Sequence, residues 1–105
     1  GAVLAGDHIL AAPANALLAA APDAAAIEGG TDEGKAFAAR AGTHAIVVAT
    51  GPFALPRVTH HDLRTALAAL TGETPPQTAP TPAPEAATRA LLTAARDAFR
   101  RNSAV

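Results

Sequence analysis

Twenty-one large apolar side chains are all that this 105-residue chain has for a core: ten Leu, five Val, three Ile and three Phe, beside 31 Ala. Burying a Leu or Phe contributes roughly 1.5–3 kcal/mol, whereas an alanine removes little area from water. A chain of this length forms one core, and this one has to be built from small residues that let backbones approach closely, without aromatic anchors. Such a thin core predicts a modest monomer or, better, a homodimer.

Charge and composition exclude several classes of function. Eight Lys and Arg stand against nine Asp and Glu, giving a net charge of −1, and there is no Tyr or Trp. The chain lacks both the basic field and the stacking platforms of a general nucleic-acid binder, so no nucleic-acid partner is expected. The absence of Cys rules out disulfides, zinc knuckles and thiol chemistry, and fits a cytoplasmic protein. No apolar run reaches the 18 residues of a membrane span, so no membrane partner is expected. Asp7, His8 and Pro13 interrupt the Ala/Leu-rich start, and no basic stretch precedes them, which argues against a signal peptide. The Ala, Pro and Arg bias is that of a high-GC, bacterial-like genome.

Three regions follow from the punctuation. Residues 1–72 read as one α+β domain with an N-terminal helical extension. It opens with a short apolar start, Ala2-Val3-Leu4, and a helix over about 12–21, with Leu10, Ala14, Leu17, Leu18 and Ala21 on one face. Residues 73–84 carry five prolines in ETPPQTAPTPAP and read as an extended, polyproline-like linker. Residues 85–105 read as an amphipathic helix.

Within 23–72 the spacing predicts a strand at 24–28 and a Gly29-Gly30 turn. A helix over about 32–41 follows, with Thr31 as its N-cap, Phe37 and Ala41 facing inward and Gly42 as its stop. The β-branched run His44–Thr50 is a buried strand. Gly51-Pro52 is a turn, and 54–59 is a second strand in hairpin with the first, with Pro56 pushing it towards an edge. A last helix starts near His60, carries Leu63, Ala66, Leu67 and Leu70 at helical spacing, and ends at Gly72.

The resulting β-α-β-β-α order, with Val58-Thr59-His60-His61-Asp62-Leu63 between a strand and an amphipathic helix, resembles a CBS (cystathionine β-synthase) domain over about residues 20–72. Pro56 stands where that family carries Gly, and Arg57 where it carries an apolar residue. The resemblance implies a CBS-like core, pairing of two motifs, and binding of adenosine compounds such as AMP, ATP or S-adenosylmethionine. Carried over, Thr59 meets phosphate and Asp62 the ribose hydroxyls, beside His60, while Ile46 and Val58 (with Ala45) line an apolar slot for the base. A strand-to-helix junction suits that role, because its free N–H groups attract phosphate. The same residues read as a helix cap, with Thr59 as N-cap and Asp62 three positions on. Both readings are open on the sequence.

Other constellations are weaker. His60, His61, His44 and Asp62 are metal-ligating types, but adjacent helical histidines diverge by about 100°, so no metal site is expected. Ser103 is the only serine and no Cys nucleophile exists, so the chain is not expected to be an enzyme. Gly29-Gly30-Thr31 lacks the spacing of a phosphate loop. The C-terminal helix places Leu91, Ala95 and Phe99 on one stripe and Arg96 on another face. Beyond a stiff linker it suits a partner groove or a dimer seam, and equally it can fold back to complete the thin core. The leading expectation is thus a non-enzymatic, ligand-sensing regulatory module that binds an adenine nucleotide as a homodimer. The alternative is a structural or adaptor protein whose C-terminal helix docks on a partner or drives oligomerisation.

Overall fold

The β-branched run His44–Thr50 does form a strand, and a mixed sheet is assembled on it. A computed structural model describes residues 10–73, 75 and 78–103 of the chain. The apolar start Ala2–Leu4 lies outside them. The elements run α1 (Ala11–Ala19), β1 (Ala26–Thr31), β2 (Gly34–Ala41), β3 (His44–Thr50), α2 (Pro56–Thr71), β4 (Thr81–Pro82) and α3 (Glu85–Ser103). The sheet order is β3-β2-β1-β4, with β1, β2 and β3 antiparallel and β4 parallel to β1. The chain is therefore an α+β fold, and its radius of gyration of 13.0 Å is that of a compact chain of this length.

Two expected elements exchange identity. The stretch expected as a helix over 32–41 is β2, and Gly29 and Gly30 lie inside β1 rather than in a turn. The turn falls at Asp32-Glu33, where the Glu33 N–H donates to Thr31 Oγ1 at 3.1 Å. Gly42 is not a helix stop. It opens the Gly42-Thr43 hairpin loop with φ +60°, the left-handed conformation a II′ turn needs at that position. In the other exchange, the expected strand at 54–59 is the loop and first turn of α2. Pro56 occupies the first helical position, where its missing N–H costs nothing. Gly72 ends α2 as expected, in the left-handed region and donating to the Ala68 carbonyl at 2.8 Å. Over residues 10–72 the order is thus helix-strand-strand-strand-helix, not the β-α-β-β-α order that carried the resemblance to a CBS domain.

Helices cover both faces of the sheet. On one face α1 and α3 bury Leu17, Leu18 and Leu91 against Ile27, Ala36 and Ala38. On the other, Leu63 and Leu67 of α2 pack on Phe37 and Ala39, with Ile46 and Val48 alongside. Alternate residues of β2 thus serve opposite cores, as strand geometry requires. The α1 end is tied down by Arg40 of β2, whose Nη1 donates to Ala21 O at 2.6 Å and Ala24 O at 2.8 Å, and whose Nη2 donates to Leu18 O.

Of the two courses open to the last helix, the structure shows the return to the chain's own core. Pro75 and residues 78–84 form a strap across the molecule: Pro75 is buried, Thr81 and Pro82 pair with Ile27 and Glu28, and the Ala83 N–H donates to Glu28 O at 2.8 Å. It delivers α3 onto the chain's own sheet, where Thr88, Leu91, Leu92 and Ala98 are buried. Residues 85–103 are a structural layer of the domain, not a tethered arm.

Candidate functional site

The start of α2 and the strap flank a half-open cavity of about 560 Å³ over the β1 side of the sheet. That volume lies within the range of small-molecule sites. Its walls come from the order of the chain. β1 presents Glu28, α2 presents His60 and Arg64, and the strap closes the third side with Pro75 and Pro80. Pro56, Arg57 and Val58, the first turn of α2, also line it. A helix start carries unpaired N–H groups and partial positive charge, so this wall favours an anion. Arg57 is exposed there, and His61 adds a second polar group to the wall.

One polar pair organises the interior. His60 Nε2 lies 2.9 Å from Glu28 Oε1, and with the proton on Nε2 the ring donates to the carboxylate. Phe37 meets the imidazole edge-on, with centroids 5.2 Å apart and planes at 87°. The other ring nitrogen, Nδ1, is buried without a hydrogen-bond partner among the described residues. The histidine is thereby fixed by Glu28 on one side and Phe37 on the other, with its side chain 17% exposed against 34% for Glu28. Arg64 holds the strap: its Nε and Nη2 donate to the Pro75 carbonyl at 3.2 and 2.8 Å.

The residues singled out from the sequence separate. His60 and Val58 line the cavity; Thr59, Asp62 and Ile46 do not. Thr59 sits inside α2 and returns its hydroxyl to the Leu55 carbonyl at 3.0 Å, so it is neither N-cap nor wall. The N-cap is Leu55, with no side-chain cap bond, which also removes the capping role expected for Asp62. Asp62 is exposed on another flank of the helix, and Ile46 packs in the core beside Phe37. Glu28, Arg57 and Arg64 were missed. Glu28 lies 32 residues from His60, so no local spacing signals the pair.

The C-terminal residues divide in the same way. Leu91 is 2% exposed inside the core, Ala95 is half-buried, and Arg96 Nη2 donates to Glu33 Oε2 at 3.1 Å, closing α3 onto the β1–β2 turn. Phe99 is 73% exposed. Within α3, Glu85 accepts from Arg89 at 2.6 Å, and that hydrogen bond raises the guanidinium's pKa.

Among the described residues no group of three or more His, Cys, Asp or Glu is placed to hold a metal ion. His44 lies on β3, separated by β2 from the strand that holds Glu28. No helix among the described residues is long and apolar enough to cross a membrane. No family model, curated protein or solved structure matches the chain.

Proposed function

We propose that this chain is a non-enzymatic ligand-binding module with regulatory function, and that the cavity between α2 and the strap is its site, with an adenine nucleotide as the ligand. The single observation that carries the reading is the cavity itself: a half-open cleft of about 560 Å³ with a helix start and Arg57 on one wall and the Glu28–His60 pair on another. In this reading the phosphate meets Arg57 and the free N–H groups of the first turn. Glu28 accepts from the sugar hydroxyls. The base lies against Val58, Ala25, Ala26 and the strap prolines. A CBS-like ancestry belongs to the same proposal, but it now has only the Val58–Leu63 wording behind it. The nucleotide reading therefore rests on the cavity. The adaptor alternative through residues 85–105 loses its main support, since Leu91 is buried within the domain.

Thermal denaturation with AMP, ATP and S-adenosylmethionine tests this. A ligand at 100 times its Kd adds about 2.7 kcal/mol. For a chain of this size that raises Tm by roughly 10 °C or more. Arg57→Ala is expected to abolish the rise while leaving the Tm of the unliganded protein unchanged. No shift with any of the three at millimolar concentration overturns the proposal.

A further inference from the structure

We propose that the outer edge of β3 is an interface between two copies of this chain, the two strands pairing antiparallel about a two-fold axis at Val47 and joining both sheets into one. The inference is independent of the cavity and of its ligand.

The sheet has two edges, and they are built differently. β4 is two residues long and lies between Pro80 and Pro84, with Pro82 within it. Prolines lack the N–H that an added strand would need, and such an edge refuses further pairing. β3 carries seven residues, with no proline and no Asp, Glu, Lys or Arg. Its centre is Ile46-Val47-Val48, the densest β-branched run of the chain. Ala45, Val47 and Ala49 join the core under α1 and α3, while Ile46 and Val48 join the one under α2. A strand apolar on both faces has the composition of an interior strand. Yet all seven residues of β3 are only half-buried, whereas Ala36, Phe37, Ala38 and Ala39 of the neighbouring β2 are buried. Among the described residues both cores run out to β3 and end there, with no further strand beyond it.

The two edges also decide the occupant. Head-to-tail stacking, β3 on the β4 edge of another copy, is barred by the prolines, which leaves the closed, isologous pairing. The strand is its own complement in that arrangement. About Val47, His44 faces Thr50 of the other copy, Ala45 faces Ala49 and Ile46 faces Val48, so apolar meets apolar on each face and no formal charge is buried. The flank of α2 turned away from the cavity extends this surface: by helical spacing it carries Ala66 and the 52% exposed Leu70, with Asp62 at its margin.

Sedimentation velocity on the full chain across a concentration series reads the outcome, with a reversible monomer–dimer equilibrium expected. Successive strand residues point their N–H groups to opposite sides. Of Val47→Pro and Val48→Pro, one removes a bond to β2 and the other removes a donor from the open edge. The variant that keeps its circular dichroism spectrum is expected to sediment as a monomer. Hydrogen exchange of the β3 amides in the unmodified chain gives a second reading: their protection rises with protein concentration. A chain that is monomeric throughout, a dimer that survives in the folded proline variant, or β3 amides whose exchange ignores concentration each overturns the proposal.

Discussion

Two glycines act here through the side chain they lack. A Cβ on Gly34 would stand 2.4 Å from the Thr50 carbonyl oxygen and 3.1 Å from Leu92 Cδ2. A Cβ on Gly29 would stand 2.1 Å from Thr88 Oγ1, on a side chain that is itself fully buried. Neither residue has positive φ, so the requirement is space and not backbone freedom. At Gly34 the obstacle is backbone belonging to a paired strand, which has no rotamer to escape into. Gly34→Ala is therefore expected to cost about 1–3 kcal/mol, the usual range for overpacking. Gly30→Ala is the control, since its Cβ meets only Lys35 Cγ at 3.7 Å. Urea unfolding checks the pair, and equal midpoints would mean that β2 and β3 do not approach as closely as described. The distinction was not legible in the sequence. A Gly-Gly pair advertises turns because glycine tolerates positive φ. Nothing in the letters separates that use from close packing, which depends on Thr88 and Ala83, more than 50 positions away.

The exchange of helix for strand at 32–41 has an equally physical cause. Thr31 followed by Asp32 and Glu33 has the side chain–backbone bond of an N-cap, and it makes such a bond, Glu33 N–H to Thr31 Oγ1, within a hairpin turn. Alanine then hides the period. With Ala36 and Ala38 on one face and Ala39 and Ala41 with Phe37 on the other, β2 shows neither alternation nor a helical stripe. What overrides alanine's helix propensity is pairing on both sides, with β1 and with β3. By contrast β3, with its β-branched run, and the Leu63/Leu67 spacing of α2 were legible, because large side chains carry the signal. Pro56 was legible only as a break: without a capping side chain before it, strand edge and helix start look alike. Arg40 takes its meaning from the strand. On β2 it reaches the carbonyls of Leu18, Ala21 and Ala24, where a cation also complements the end of the α1 dipole. Arg40→Ala is expected to lose about 2 kcal/mol, the scale of hydrogen bonds to a charged group. Arg40→Lys is expected to recover only part, because an ammonium cannot span three acceptors as the planar fork does. If chemical denaturation finds the Lys variant equal to the native chain, charge alone holds α1 and the fork geometry is irrelevant.

A chain with so few large side chains depends on the ones it does bury, and that dependence runs through its last helix. Without α3, the α1 face of the sheet keeps Leu17, Leu18 and Ile27 but loses Leu91, Leu92, Thr88 and Ala98. The two leucines alone represent roughly 3–6 kcal/mol of burial. The net stability of a domain is typically about 5–15 kcal/mol. Loss of α3 also uncovers Gly29, a position kept free of a side chain so that Thr88 of this helix can approach. Expression of residues 1–84 is thus expected to yield no independent domain but a loosened one: helical signal retained in the far-ultraviolet, a broad thermal transition without a cooperative midpoint, and binding of a hydrophobic dye. Leu92→Ala in the full chain is a milder version, expected to lower stability by about 2–5 kcal/mol while leaving the transition cooperative. A sharp thermal transition in the 1–84 fragment, at the midpoint of the full chain, would show that the sheet's α1 face does without its second helix. Residues 85–105 would then be free to serve as the separate docking arm that the proline-rich segment suggests on the sequence alone.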